Sequence, residues 1–266
     1  MTAHRLKIHR HPAARPASRP PLLFVHGGYT HSLCWQHKLI PRFNELGYDC
    51  HALDLSGHGG SEGRDRLHRF GLADYAEDLA RAVATIEVPP VLVGHSMGSL
   101  VVQRFVTAQP DAAAGIALLS PVPPTGTAGS AARLALTAPA FFEELPNATS
   151  GRPTERTLEV MARVYFSPGT PHRAIERFLP MIGPESDRAV SEMAVLPFLS
   201  ARARPRLPAL VMGGGEDKVF PASMLHFSAA AWHTRAVRID GAGHMMMLDP
   251  QWQAAADALA AWLDGV

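Results

Sequence analysis

The sequence predicts an α/β fold in which a mostly parallel sheet is covered by helices on both faces. Short, continuously apolar segments alternate along the chain with longer segments of helical periodicity. Continuously apolar strands are typical of a parallel sheet that is buried on both faces, and the intervening helices provide its crossovers. In addition, several apolar segments lead directly into glycine-containing turns that carry Ser, Asp or His.

The first part of the chain begins this alternation. Residues 4–9 are predicted to form an edge strand and residues 22–26 a central strand. From Ser32 to Leu46 the apolar residues recur close to helical spacing, and Gly47 provides a stop just beyond them. A further strand is predicted from residue 48, leading into a glycine-rich loop.

The alternation then continues to residue 120. A helix is predicted from Leu72 to Glu87, because its apolar residues fall on one face. A strand at 91–95 and a helix from Met97 towards Ala108 follow. Residues 115–120 are continuously apolar up to their final serine and predict the next buried strand.

The pattern changes after Ser120. Residues 121–206 contain short helical patches separated by prolines, and they include many Ala, Met and Phe residues. Because this segment is too apolar for a disordered linker, we expect a helical lid. Residues 1–120 and 207–266 then form the two parts of one core domain. The second part is predicted to hold two strands and a final helix from Gln251 to Leu263.

The most informative motif is Gly-His-Ser-Met-Gly at 94–98, between a β-branched run and a helix-compatible run. Gly94 and Gly98 remove the Cβ atoms that would clash in a tight strand–turn–helix reversal. The turn also brings backbone N–H groups to a helix N-terminus, where negative charge is stabilised. We therefore predict that Ser96 presents an exposed hydroxyl that attacks a carbonyl carbon.

Four further motifs lie near the ends of predicted strands: His-Gly-Gly at 26–28, Asp-x-x-Gly-x-Gly-x-Ser at 54–61, Gly-x-x-Asp at 214–217 and Gly-x-Gly-His at 241–244. Together the five motifs resemble the α/β-hydrolase fold family, in which the nucleophile, acid and histidine follow in this chain order. The resemblance covers nearly the full length except roughly residues 121–205. It implies an α/β-hydrolase fold, a helical lid inserted after the sixth strand, and a serine hydrolase similar to monoacylglycerol-lipase-like and carboxylesterase-like members.

The resemblance implies a catalytic triad of Ser96, Asp217 and His244. A serine hydroxyl needs a neighbouring base, and the ordinary pKa of histidine suits proton transfer at neutral pH. The acid would hold the imidazole in the correct tautomer. Adjacent Glu216 is the alternative acid, but the family's acid loop matches this sequence with the acid at Asp217. Some members supply the acid after the sixth strand, where this chain has Ser120.

The resemblance also implies an oxyanion hole formed by the backbone N–H groups of Gly28 and Met97, since fixed dipoles need no reorganisation as charge develops. We expect the remaining polar residues of the motifs to brace loops or to pack: His26, His58, His95 and Asp54.

Substrate contacts are predicted from the lid and from residues beside the catalytic motifs. Aromatic and Met side chains suit an irregular apolar pocket. The candidates for an acyl-side wall are Phe141, Phe142, Tyr165, Phe166 and Met181. The candidates beside the motifs are Tyr29, Val219 and Met245.

The predicted function is cleavage of a carboxylic ester, acyl or aryl, through an acyl-enzyme intermediate. The alternative is C–C bond hydrolysis of diketone products of aromatic degradation, which uses the same triad. Perhydrolysis and a non-catalytic ligand receptor are minor alternatives. Ser96 argues against the dehalogenases and epoxide hydrolases of this fold, which use an aspartate nucleophile.

Composition narrows the possible partners and location. The 266 residues are 47% hydrophobic and 18% charged with a net charge of +1, which is typical of a soluble enzyme and does not favour nucleic acid. No apolar run approaches the roughly 20 residues of a membrane span, and the N-terminus lacks the apolar run of a secretory signal. Two cysteines, Cys34 and Cys50, are predicted to be reduced packing residues, so a cytoplasmic location is expected.

The glycine-rich stretches at 57–63 and 213–215 lack the spacing of phosphate-binding loops. We therefore expect no cofactor. Neither cysteine lies in a Cys-x-x-Cys arrangement, so no metal is expected either. The expected partner is a small-molecule ester, and the sequence leaves the oligomeric state open.

Overall fold

The structure is a computed structural model that describes residues 4–13, 15, 18–195 and 204–266. Within these residues, seven strands form one sheet with the order β1-β3-β2-β4-β5-β6-β7. In chain order the strands are β1 (Lys7–His11), β2 (Leu22–Val25), β3 (Cys50–Asp54), β4 (Val91–His95), β5 (Gly115–Leu119), β6 (Ala209–Gly214) and β7 (Ala236–Ile239). β1 is antiparallel to β3, and the other neighbouring strands are parallel. The predicted mostly parallel sheet is confirmed.

The helices in chain order are α1 (Leu33–Gln36), α2 (Leu39–Glu45), α3 (Leu72–Val83), α4 (Met97–Ala108), α5 (Ala128–Thr137), α6 (Ala140–Thr149), α7 (Glu155–Tyr165), α8 (His172–Phe178), α9 (Asp187–Val195), α10 (Ala222–Ala231) and α11 (Trp252–Leu263). Of these described helices, none is both long enough and apolar enough to cross a membrane.

The core lies on both faces of the sheet because successive strand side chains point in opposite directions. Phe24 of β2 packs with residues of α1, α2 and α11 on one face. Its neighbours Leu23 and Val25 pack with residues of α3, α4 and α10 on the other. β2, β4 and β5 are buried along their whole length, as the continuously apolar segments predict.

The predicted helix from Ser32 to Leu46 is wrong in one respect, because the structure divides it into α1 and α2. Lys38, between them, has a non-helical backbone with φ −137° and ψ −60°. Pro41 has no N–H and its ring would clash with the carbonyl of residue 37 inside a continuous helix. The restart at Leu39 places Pro41 in the first turn of α2, where no donor is needed. The helix predicted up to Glu87 ends earlier, at Val83.

Helices α5 to α9 lie between β5 and β6, within the segment predicted as a lid. Among the described residues they follow the fifth strand, so the predicted position after the sixth strand is corrected. The number six comes from the family resemblance. The described residues before α5 contain five strands, β1 to β5, with a single strand before β2. The prolines separate these helices or fall near their ends, although Pro146 lies within α6. Part of the predicted lid, residues 196–203, lies outside the described residues.

Candidate active site

Ser96 lies between the end of β4 and the start of α4, in a strained turn. Its backbone has φ 50° and ψ −119°, a conformation that a residue with a side chain rarely adopts. A Cβ atom on Gly94 would lie 2.6 Å from the carbonyl oxygen of Gly98, and one on Gly98 would lie 2.5 Å from that of Val25. Both glycines are therefore required by close backbone approach, as the motif predicts.

His244 follows β7 and is hydrogen-bonded to Asp217, which follows β6. The His244 Nδ1 atom lies 2.9 Å from Asp217 Oδ2, and both side chains are buried. The other carboxylate oxygen accepts hydrogen bonds from the N–H groups of Val219 and Phe220, each at 2.8 Å. Because a carboxylate only accepts, Nδ1 carries the proton and Nε2 of the neutral ring is an acceptor. Glu216 is exposed.

The backbone of His244 is held by two donors. His95 Nε2 and Ser120 Oγ donate to the His244 carbonyl oxygen at 3.0 and 3.3 Å. Burial and the neighbouring His244 lower the pKa of His95, so its ring is neutral and donates through Nε2 alone. Its ring centroid lies 4.8 Å from that of His244. His95 thus packs, as expected, and it also fixes the position of His244.

The loop after β2 carries Gly28 and is braced by His26. Its Nδ1 donates to the carbonyl of Gly27 at 2.8 Å, and its Nε2 accepts from the N–H of Leu55 at 3.1 Å. Burial lowers the pKa of His26 to about 4, so the neutral ring offers one donor and one acceptor. Asp54 accepts from two further backbone N–H groups, at positions 32 and 60, each at 2.9 Å. The predicted bracing roles of both residues are confirmed.

Ser96, His244, Gly28 and Met97 all line one cavity of about 170 Å³. Met97 is the first residue of α4, so its N–H lies at the helix N-terminus, where the backbone favours negative charge. Tyr29 also lines the cavity, and burial together with the Glu185 carboxylate raises the pKa of its phenol to about 12.

The walls of this cavity are mostly apolar. The residues that the sequence predicts as substrate contacts and that line it are Tyr29, Phe141, Phe142, Tyr165, Val219 and Met245. The apolar lining residues that the sequence analysis missed include Leu134, Leu145, Phe178, Ile182, Met193 and Phe220. All six lie on irregular or amphipathic segments whose inward face depends on tertiary packing.

Two predicted wall residues do not line this cavity and are corrected. Phe166 is buried beside it, with its ring 5.3 Å from that of Phe178 and its backbone against Gly243. It directly follows Tyr165, whose side chain takes the cavity side. Met181 lines a second, neighbouring cavity that also includes His58.

The described residues contain no group of three or more His, Cys, Asp or Glu side chains that could hold a metal ion. Cys34 and Cys50 are buried, and burial raises the pKa of both thiols, which is typical of packing residues rather than reactive ones.

Comparisons with known proteins relate this geometry to a family. A family model described as alpha/beta hydrolase fold matches residues 20–251. The chain is 29% identical over 101 residues to a pyrethroid hydrolase of Sphingobium wenxiniae, covering 38% of this chain and 35% of that protein. It is 30% identical over 108 residues to a monoacylglycerol lipase of Mycolicibacterium smegmatis, covering 39% of this chain and 38% of that protein. The chain thus aligns with little more than a third of the length of these curated relatives.

An esterase from Exiguobacterium antarcticum is similar in structure, with a TM-score of 0.72 and 17% identity over 98% of this chain and 96% of that chain. At this identity the likeness shows the fold alone. The family match extends over most of the sequence and includes the segments that carry Ser96, Asp217 and His244. The chain therefore belongs to the alpha/beta hydrolase fold family.

Proposed function

We propose that this chain is a serine hydrolase that cleaves a carboxylic ester through an acyl-enzyme intermediate. The observation that carries the proposal is the 2.9 Å hydrogen bond between His244 and Asp217, on a cavity that Ser96 also lines. A buried carboxylate that fixes the histidine tautomer next to a strained serine is the arrangement that nucleophilic acyl transfer requires.

In the first half of the proposed reaction, Ser96 Oγ attacks the ester carbonyl carbon and its proton passes to His244 Nε2. The carbonyl oxygen becomes an oxyanion that accepts hydrogen bonds from the N–H groups of Gly28 and Met97. The C–O bond to the alcohol then breaks, and the alcohol leaves with the proton from His244. Asp217 stabilises the imidazolium that forms in between.

In the second half, water attacks the acyl carbon and gives a proton to His244. The same two N–H groups stabilise the second oxyanion. The bond between the acyl carbon and Ser96 Oγ breaks, and the serine regains its proton from His244. The products are a carboxylic acid and an alcohol, and neither a metal nor a cofactor enters the proposed steps.

We further propose that residues 121–206 act as a lid that selects the acyl or aryl group, within a core formed by 1–120 and 207–266. Helices α5, α6 and α7 contribute an apolar wall to the cavity, which supports this proposal. Transfer of an apolar group from water to such a wall is favourable. The names of the two curated relatives, a pyrethroid hydrolase and a monoacylglycerol lipase, also support an ester substrate. The predicted cytoplasmic location stays a prediction.

The deciding experiment compares p-nitrophenyl esters of increasing acyl length with a diketone ring-cleavage product. We expect kcat/KM for at least one ester to exceed that for the diketone. Faster cleavage of the diketone would favour the C–C hydrolase alternative. Tight, saturable ligand binding without turnover would favour a receptor.

A fluorophosphonate probe is expected to add one phosphonyl group to Ser96, because an activated serine attacks phosphorus and expels fluoride. Intact-protein mass spectrometry measures the adduct. Ser96→Ala should show none. Ser130→Ala removes another hydroxyl on the same cavity and should label fully. An undiminished adduct on Ser96→Ala would contradict the assignment of the nucleophile.

Phe142→Ala is expected to shift the optimal acyl length to longer esters. Phe142 lines the cavity and is 42% exposed. Removing its ring therefore gives the acyl chain more room in the cavity with little loss of packing. Each acyl methylene that gains apolar contact is worth about 0.8 kcal/mol, or roughly fourfold in kcat/KM. Leu136→Ala, at a residue that is 86% exposed on α5, is the control and should leave the profile unchanged. Identical profiles for both variants would mean that this wall selects nothing.

A further inference from the structure

The Glu185 carboxylate is buried between the core and the segment that joins β5 to β6, which contains α5 to α9 and is called the helical segment below. It lies just before α9 and is 3% exposed. One oxygen accepts from the hydroxyl of Tyr75 at 2.8 Å and from the N–H of Ser186 at 2.7 Å. The other lies 3.1 Å from His58 Nε2 and 3.3 Å from the N–H of Tyr29. All four hydrogen-bonding groups are therefore directed at this single carboxylate.

His58 carries a positive charge that neutralises Glu185. Its Nδ1 lies 3.1 Å from the carbonyl oxygen of Ser56 and its Nε2 faces the carboxylate, so both nitrogens face acceptors and both donate. Burial opposes the charged ring, but the carboxylate outweighs burial and raises the pKa of His58. Burial likewise opposes the carboxylate, and His58 outweighs it and lowers the pKa of Glu185. The two groups form a buried ion pair.

Tyr29 has a left-handed backbone with φ 60°, which is unfavourable for a residue with a side chain. Both of its backbone groups bond to the helical segment. Its N–H donates to Glu185, and its carbonyl oxygen accepts from the N–H of Gly183 at 2.9 Å. A Cβ atom on the preceding Gly28 would lie 3.4 Å from the Glu185 carboxylate. The strained turn that presents Gly28 is thus fixed from the lid side.

We propose that Glu185 is a positioning residue that, paired with His58, holds the Gly28–Tyr29 turn in the geometry of the oxyanion hole. This rests on the proposed function, in which the Gly28 N–H stabilises the oxyanion. The pairing with His58 is essential, because an unneutralised carboxylate beside Gly28 would repel the developing negative charge. The oxyanion hole is then complete only while residues 183–185 are docked.

The central test is Glu185→Gln, which keeps the shape but cannot satisfy the same four groups. If the amide NH₂ takes the Oε2 position, it meets the N–H of Tyr29. If it takes the Oε1 position, it meets the N–H of Ser186. We expect kcat for a p-nitrophenyl ester to fall about 10- to 100-fold, the effect of losing a hydrogen bond to a charged group, with KM within about twofold. Hydrogen exchange of the backbone at residues 28–30 should become faster.

His58→Gln tests the charge. It leaves the carboxylate without its cation, so we expect a larger fall in kcat than for Glu185→Gln. The double variant with both His58→Gln and Glu185→Gln has no unpaired charge beside Gly28. Its kcat should be at least about tenfold higher than that of His58→Gln alone. If the unneutralised charge does not matter, the double variant should be no more active than His58→Gln.

Glu192→Gln is the matched control. Glu192 also joins the helical segment to the core, accepting from the N–H of Leu72 at 2.8 Å, but it contacts neither Gly28 nor Tyr29. Its kcat should stay within about twofold of wild type. Tyr75→Phe removes one hydrogen bond to Glu185 and provides a milder variant if Glu185→Gln does not fold. Its kcat should fall severalfold.

Unchanged kcat and unchanged exchange at residues 28–30 in Glu185→Gln and Tyr75→Phe would overturn the proposal. So would a loss in Glu192→Gln as large as that in Glu185→Gln, or an effect confined to KM. A wild-type protein that neither hydrolyses esters nor labels with a fluorophosphonate would overturn the proposed function instead. The exchange measurement would still decide whether Glu185 holds the turn.

Discussion

Asp217→Asn is expected to lower kcat by about 10⁴-fold, the magnitude typical of this change in a Ser-His-Asp triad. The backbone N–H groups of Val219 and Phe220 point at one carboxylate oxygen of Asp217. The amide oxygen of the asparagine must take that place, so its NH₂ group faces His244. The imidazole then accepts at Nδ1 and carries its proton on Nε2, where it cannot take the proton of Ser96.

The measurement is kcat for a p-nitrophenyl ester, with circular dichroism to verify the fold. Glu216→Gln is the matched control, because the adjacent side chain is exposed, and its kcat should stay within about twofold of wild type. A large loss of kcat in Glu216→Gln with little change in Asp217→Asn would assign the role of the acid to Glu216 instead.

Gly98→Ala is expected to destabilise the protein by about 3 kcal/mol or more. The added Cβ would lie 2.5 Å from the carbonyl oxygens of both Val25 and His26. These atoms belong to the backbone at the end of β2 and cannot move aside like the end of a flexible side chain, so the change lies at or above the upper range for overpacking. Because the displaced backbone leads into the loop that carries the proposed oxyanion-hole residue Gly28, kcat should fall as well.

Thermal unfolding should show the effect as a decrease in Tm of roughly 6 °C or more, from the 2–4 °C per kcal/mol typical of chains near this size. Gly129→Ala is the opposite case, since a Cβ there meets no atom within 4 Å and the residue is exposed on α5. Alanine favours a helix by about 0.5–1 kcal/mol over glycine, so Tm should rise slightly. Equal Tm values for both variants would contradict the close approach of α4 to β2.

The geometry of the candidate site was predictable where close backbone approach and strand order leave a trace in the sequence. Gly94 is needed because a Cβ atom would meet the backbone of Gly98 in the same turn, and Gly98 because a Cβ atom would meet the backbone at the end of β2. Asp217 follows the apolar strand β6 and His244 follows β7, and parallel strands bring their carboxyl ends to one edge of the sheet. The break between α1 and α2 could also have been predicted from Pro41. The spacing of the apolar residues alone indicated one continuous helix.

The cavity wall and Glu185 were not predictable in the same way. Between β5 and β6 the chain forms short helices without a repeated pattern, so adjacent residues such as Tyr165 and Phe166 differ in which side they face. A glutamate next to a proline in an irregular stretch indicates an exposed residue. Glu185 is buried only because His58 and Tyr75, distant in sequence, supply its partners.

The positions of the strands along the chain also determine when the proposed chemistry could begin. Ser96 lies at the end of β4 in the middle of the sheet, whereas His244 follows β7, which lies at the edge beside β6. During synthesis the serine emerges from the ribosome long before the histidine, and without a base its hydroxyl is a poor nucleophile. Under the proposed mechanism, a nascent chain therefore holds an inert serine until β7 joins the sheet. Under the same mechanism, fraying of the edge strand β7 would be sufficient to remove the base from Ser96 while the rest of the sheet stays folded.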